Sequence, residues 1–467
     1  MVYIVHGKLY QLLYSMNKNT RITVQTPVGQ TEETDTGKTV GQGTLEGAMI
    51  SAISLDKDSN DYFSGSEYEV DYAGLRLQPL LFQDDVSRLA DHLSSLQAGN
   101  DKMELMAETK LLDFNLVKSC YMAIGTSRSL KDHYDHLHQN PITICGKPMP
   151  CVSESKLLGD WLSQSGLSNS VATTVAKRKG LAIASIYEIR SVVEDCRSNI
   201  LGGLQIGLNL WEATIVPMLL FNSETWVNIT DKTLNELETI QKRFLRCILA
   251  VGPGCPIPSM YWETGTVLMK YRILQRKLIF LHHLSTLPDS SLAKEVYTLQ
   301  KQLNLPGLLT ECEEFLHKYE LYDMESYSKA QWKRKVKAII FQLNEDNVVS
   351  MSKNYKKINY TFDIDHGKRH LFLSQLKLHD ARMMFKIRSN MVPHIQMNFK
   401  SDRRYTKNMW LCPGCNTNLD TQSHVMQCEG YSNLRSGLDL NKDVDLIKFF
   451  HSIISLRVIW ENDLLPE

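Results

Sequence analysis

No stretch of this chain constrains its fold as tightly as Cys412-Pro413-Gly414-Cys415, followed after eight residues by His424 and after three more by Cys428. Three soft thiolates and an imidazole at that spacing match the tetrahedral ligand set of Zn2+, with Cys-x-x-Cys as the first knuckle and Pro413-Gly414 shaping its turn. The alternative is a set of unliganded thiols. The other cysteines (Cys120, Cys145, Cys151, Cys196, Cys247, Cys255 and Cys312) are scattered. The opening MVYIVHGKLYQLLY carries His6 and Lys8 and no small-residue cleavage site, so reduced thiols in an intracellular protein, nuclear or cytoplasmic, are expected.

A composition of 43% apolar and 22% charged residues is that of a globular protein. Its 467 residues suffice for several domains. No window approaches the roughly 18 apolar residues of a membrane helix, so no membrane partner is expected. The formal net charge is zero but unevenly spread: acids outnumber bases from Met1 to Lys110, whereas Lys353–Lys407 holds 13 Lys/Arg against Asp363, Asp365, Asp380 and Asp402. Lys329, Lys333, Arg334, Lys335 and Lys337 lie just upstream. Such asymmetry fits binding to RNA or single-stranded DNA, with Tyr360, Phe372, Phe385 and Tyr405 stacking on bases. A solvated basic helix face, with those rings in the core, is the plainer alternative.

Short strands alternating with helices suggest an α/β or α+β domain, and α+β is the fold class expected. Residues 1–165 alternate short β-type runs (Arg21–Val28, Leu75–Phe82, Cys120–Ile124) with turns, and helices are expected near Val86 and over Lys102–Leu112. From 166 the pattern turns helical. Ser168 or Ser170 can cap a helix running towards Cys196, and Leu234, Leu237, Ile240, Phe244 and Ile248 form an apolar stripe opposite Lys242, Arg243 and Arg246. The expected divisions are 166–250, a helical connection with the basic segment over 251–400, the zinc module over 401–436, and a C-terminal helix over 437–467.

Four features in the first part follow a fixed order. Gly41-Gln42-Gly43-Thr44-Leu45-Glu46-Gly47 lets backbone approach a polyanion or base pair without obstruction by Cβ. Leu80-Leu81-Phe82-Gln83-Asp84-Asp85 ends an apolar strand in two hard oxygen ligands suited to Mg2+. Leu112-Asp113-Phe114-Asn115-Leu116-Val117-Lys118-Ser119 and Lys156-Leu157-Leu158-Gly159-Asp160 come next. Taken singly, the glycine run also fits a flexible turn, and the carboxylate pair an ordinary strand end.

In that order they resemble the later palm motifs of reverse transcriptases from non-LTR (LINE-type) retroelements. The resemblance extends from about Tyr10 to Arg435. It takes in Phe221-Asn222-Ser223-Glu224-Thr225-Trp226 and Leu237–Arg246 as a thumb-like region, and the Cys-Cys-His-Cys module with Tyr431 and Arg435. It implies a partial palm, an antiparallel sheet with helices, then a mainly helical thumb and a small zinc knuckle. The implied activity is RNA-directed DNA polymerisation on an RNA template and DNA primer. Gln42, Gly43 and Gly47 would line the nucleotide and template site, Asp84 and Asp85 would hold Mg2+, and Lys118 would lie near the leaving pyrophosphate. Lys156-Leu157-Leu158-Gly159 would be the primer-grip turn. Gln83 departs from the usual Phe-Ala-Asp-Asp. The family's first palm aspartate falls upstream of the part matched by Tyr10–Gly29, and Asp35, in the polar run Thr31–Lys38, is a poor substitute. The chain by itself is therefore expected to be catalytically incomplete. A non-catalytic RNA- or single-stranded-DNA-binding zinc protein, or a pseudogene product without function, are the rival readings.

Overall fold

Turn-forming residues recur so often in the first part of the chain that no strand among its described residues grows beyond a few residues. The computed structural model describes residues 21–23, 25–35, 70–82, 85–110, 112–125, 141–196, 200–355, 369–395 and 411–464, with Gln11 singly. The chain divides into two compact units, Met1–Ser155 and Lys156–Glu467.

In the first unit, β1 (Arg21–Ile22), β2 (Gln25–Thr26), β3 (Gly29–Gln30) and β4 (Thr34–Asp35) nest, β2 pairing with β3 inside the β1–β4 pair. Further along, β5 (Val70–Tyr72) pairs with β6 (Leu75–Leu77), and β7 (Leu80–Phe82) with β8 (Asp85–Ser87). Helix α1 (Leu93–Lys110) follows, then the pair β9 (Thr143–Ile144) and β10 (Lys147–Pro148). All these pairs are antiparallel, and among the described residues they form two-stranded sheets only, not the larger sheet that the palm resemblance implies. The helix expected near Val86 is absent: Val86 lies in β8 opposite Leu81, and one helix runs from Leu93. Cys120–Ile124 is not a strand either. Tyr121 alone bridges Cys151, donating to the Pro150 carbonyl (3.1 Å) and accepting from the Val152 N–H (2.9 Å).

The boundary between the units falls within β11 (Glu154–Leu157), which pairs with β12 (Asp160–Ser163) of the second unit. Helix α2 (Leu167–Asp195) starts without the serine cap that the sequence suggests. Gly166 stands at its N-cap with φ 98°, a backbone conformation that glycine reaches without Cβ strain. Ser170 Oγ instead donates to the Gly166 carbonyl (3.0 Å) and accepts from Ser163 N–H (2.9 Å), tying helix to hairpin. Next, α3 (Gly203–Leu210) passes through a π-helical stretch, Trp211–Ile215, into α4 (Val216–Leu219).

Helix α5 (Asp231–Leu249) is capped by Thr230, whose hydroxyl accepts from Thr233 N–H (3.2 Å). Its stripe folds as the spacing predicts: Leu237, Ile240, Phe244 and Ile248 are buried, while Arg243 stays exposed. Then come α6 (Ile257–Thr264), α7 (Met269–Ser285), α8 (Leu292–Leu303), α9 (Leu308–Lys318) and α10 (Lys329–Ser352). The last of these starts at a reciprocal cap between Ser328 and Gln331. The chain closes with α11 (Phe372–Gln375), α12 (Leu378–Arg388), α13 (Gln422–Gln427), α14 (Ser432–Arg435) and α15 (Asp443–Leu464). One cluster of buried apolar residues joins α2, α3, α5, α12 and α15, with Trp211 stacked on Phe244 at 4.3 Å between ring centroids. A second, around Trp332, joins α7, α9 and α10. No described helix is long and apolar enough to cross a membrane.

Candidate functional site

Local structure converges on one point near the end of the chain. Leu411 and Leu419 bridge in antiparallel fashion, and Cys412 O accepts from Cys415 N–H (3.2 Å) and Asn416 N–H (2.7 Å), curling the Cys-Pro-Gly-Cys turn. Asn416 adopts φ 55°, a left-handed conformation that asparagine tolerates. Thr421 caps α13 by accepting from His424 N–H (3.1 Å), so the imidazole projects from the first turn and Cys428 closes the helix. Ligand atoms of Cys412, Cys415, His424 and Cys428 all lie within 4.8 Å of one another. Cys412 and Cys428 sulfurs are 3.8 Å apart, and Cys415 Sγ is 3.3 Å from His424 Nε2.

A tetrahedral zinc ion with Zn–S of about 2.3 Å and Zn–N of about 2.0 Å sets edges of roughly 3.8 Å between sulfurs and roughly 3.5 Å from sulfur to nitrogen. Those two edges are close to these values, and the Cys3His set is chemically suited to that ion. These residues can hold a structural Zn2+. Among the described residues they are the group of three or more ligating side chains that the fold brings together. Hydrogen bonds from Thr417 and Asn418 pull the Cys415 thiol down to about 5, whereas burial pushes that of Cys412 up to about 11.

Around the ligands stands a buried shell. Tyr431, 1% exposed, places its hydroxyl 3.9 Å from Cys412 Sγ. Arg457 on α15 forms a two-pronged pair with Asp420 (2.7 and 2.7 Å) and donates to Tyr431 Oη (3.0 Å). Gln422 Nε2 donates to Ile387 O of α12 (2.7 Å). Sequence reasoning singled out Tyr431 but missed Asp420 and Arg457, because a pair 37 positions apart leaves no local pattern.

A comparison with protein-family models, with curated proteins and with solved structures finds no match to this chain.

The polymerase-like residues are distributed differently. Gln42, Gly43, Gly47 and Asp84 lie outside the described residues. Phe82 pairs with Asp85 across the β7–β8 hairpin, so Gln83 and Asp84 fall between the paired strands in sequence, and Asp85 is exposed. Lys118 is exposed on a turn, its N–H donating to the Asn115 carbonyl (3.0 Å), while Phe114 packs against Met103 and Met106. In the second unit, two of the sequence motifs do meet. The turn Leu158-Gly159 has φ 47° and 93°, and a Cβ on Gly159 would stand 2.8 Å from the Phe221 ring. Asn222 Nδ2 donates to Leu158 O (2.9 Å), and Trp226 Nε1 to Asp160 (3.1 Å). Arg178 reaches Gly159 O (2.8 Å), Asp160 (2.6 Å) and Phe221 O (2.9 Å), binding both motifs together.

Most of the basic segment's Lys/Arg lie outside the described residues; of the described ones, Lys353 and Lys377 are exposed, whereas two arginines are paired within the fold. Arg388 is buried against Glu263 (2.8 Å), and Arg382 pairs with Glu194 (2.9 Å). Phe372 and Phe385 are core residues, 2% and 0% exposed, so they are not stacking partners for bases. Tyr360 and Tyr405 lie outside the described residues. Further exposed positive charge sits upstream: Lys329, Lys333, Arg334 and Lys337 on α10 are exposed and carry no ion pair among the described residues.

Proposed function

We propose that the chain derives from a non-LTR reverse transcriptase, acting inside the cell, in the nucleus or cytoplasm, on RNA or single-stranded DNA. The observation that carries this is the β7–β8 hairpin: its register sets Phe82 opposite Asp85, the form required of an aromatic-x-Asp-Asp turn. The union of the Leu158-Gly159 turn with Phe221–Trp226 supports it, since a primer-grip turn must be rigidly seated on the thumb helices. In this reading Asp84 and Asp85 bind Mg2+, which neutralises charge on the transferred phosphoryl group. Gln42, Gly43 and Gly47 contact nucleotide and template, and Lys118 donates a proton to pyrophosphate. The Lys329–Lys337 face offers a salt-sensitive track for a phosphate backbone.

In the family the metal site also takes the first palm aspartate, and losing one electrostatic term of several kcal/mol costs roughly a thousandfold in rate. The test is primer extension on a poly-A template with Mg2+ or Mn2+, with the chain alone and with a fragment supplying the upstream fingers and first palm motif. The expected result is no incorporation by the chain alone, and incorporation in the mixture that Asp84→Ala abolishes. A silent mixture, or incorporation indifferent to that substitution, overturns the proposal. Salt-sensitive RNA binding without incorporation in either assay favours the non-catalytic binding protein instead.

A further inference from the structure

The metal centre is embedded in the second unit, and its polar contacts lead outward in one direction. Cys412 and Cys428 share a buried apolar cluster with Phe449, Phe450 and Ile453 of α15. The ring of Tyr431 lies against the first knuckle: a Cβ on Gly414 would stand 2.9 Å from it. Asp420 and Arg457 are 0% and 2% exposed, so their charges are paired out of water, and Arg457 Nη1 also donates to His394 O (2.5 Å).

The polarity of this chain of groups is set by chemistry. A guanidinium has donors only, so the Tyr431 oxygen accepts from Arg457; a neutral Cys412 thiol donates to that oxygen too, whereas a thiolate can only accept, and the Tyr431 proton is then left for Cys412 Sγ. A neutral thiol is a weak acceptor. A metal-bound thiolate is a strong one, and the 3.9 Å contact is one that a thiolate would tighten. Three thiolates around a divalent cation leave one net negative charge, which the Arg457 end of the relay faces. The relay is therefore complete only when the ion is present.

We infer that the ion at Cys412, Cys415, His424 and Cys428 fastens the C-terminal helix α15 to the helical unit through Tyr431 and Arg457, with Tyr431 a positioning residue for Cys412. The centre is then an internal clasp, not a knuckle offered to nucleic acid, and this holds whether or not the chain is a polymerase relative. Removing Arg457 would strand the Asp420 charge and risk misfolding, so gentler variants carry the test. Cys415→Ser deletes a half-exposed ligand and leaves Cys412, Tyr431, Arg457 and Asp420 in place. Tyr431→Phe keeps the ring and removes only the hydroxyl.

Hydrogen exchange is followed in the zinc-loaded full chain over α15 and, as reference, α5. Zinc affinity is read by competition with a chromogenic chelator. Chelation, and Cys415→Ser, are each expected to cut the protection of α15 at least tenfold while α5 stays protected. Tyr431→Phe is expected to weaken zinc binding about 10- to 100-fold. Unchanged α15 protection without metal, equal loss in α5 and α15, unaltered affinity in Tyr431→Phe, or no zinc in the wild-type chain would each overturn the inference.

Discussion

In the first unit the residues singled out by sequence, Asp85 at the start of β8 and Lys118 on a turn, stand exposed, and the buried cluster described there consists of Met103 and Met106 with Val86 and Phe114 against it. In the second, Cys412 and Cys428 are buried within a cluster that draws on helices from α2 to α15. The contrast shows which kinds of site a sequence can announce. A closed soft-ligand site draws all four donors from one loop and one helical turn, so spacing alone nearly encodes its geometry. A two-metal carboxylate site draws ligands from strands far apart in the chain, and an Asp-Asp pair specifies only part of it.

The largest expected effect tests whether stability follows that contrast. Trp211 is fully buried and stacked on Phe244, so Trp211→Ala should cost about 3–5 kcal/mol. Met106→Ala opens a cavity beside few neighbours that can collapse into it, and should fall at or below the lower end, about 2 kcal/mol, of the range for such truncations. Urea unfolding of the two variants, followed by hydrogen exchange within each unit, measures both. Equal costs would mean that the first unit's core is larger than its described residues show.

A smaller effect is expected where the two sequence motifs meet. Arg178→Met removes every bond that ties Gly159, Asp160 and the Phe221 carbonyl to α2, and leaves a mostly buried Asp160 with Trp226 as its remaining side-chain donor. The loss should be about 3 kcal/mol, the lower end for a broken buried pair, since both side chains keep some solvent contact. A chain destabilised by less than about 1 kcal/mol would place the pair among ordinary surface ion pairs. Here the limits of sequence reading are concrete. The α5 stripe was readable because a 3.6-residue period reports burial directly, and the zinc ligands because metal geometry restricts spacing. Arg178 was invisible as a keystone, since its stretch Lys177-Arg178-Lys179 looks like a solvated charge run. Gly166 as a helix cap was hidden by better-capping serines beside it, of which the hairpin recruits Ser170 while Ser168 donates to the Asn228 carbonyl.

The smallest effect concerns acid. In the first unit His92 stands exposed, whereas in the second His379 of α12 stacks on His451 of α15, with ring centroids 4.7 Å apart and planes 15° from parallel. Burial, then the neighbouring His379 and Lys386, lowers the pKa of His451 below 6.5, and Asp380, 3.6 Å away, opposes them. The neutral form is thus favoured in the folded chain. Its contribution to stability is fully present above pH 6.5 and is lost as pH falls from 6.5 through the lower folded value. His451→Gln removes that dependence while keeping a polar group of similar reach. Urea midpoints at about pH 7.5 and about pH 5.5 should therefore fall further for the wild-type chain than for His451→Gln. Protonation of the zinc thiolates also destabilises the chain in acid, but it acts on both proteins and cancels in the difference. Parallel falls would show that α15 is held against α12 without regard to the charge of His451.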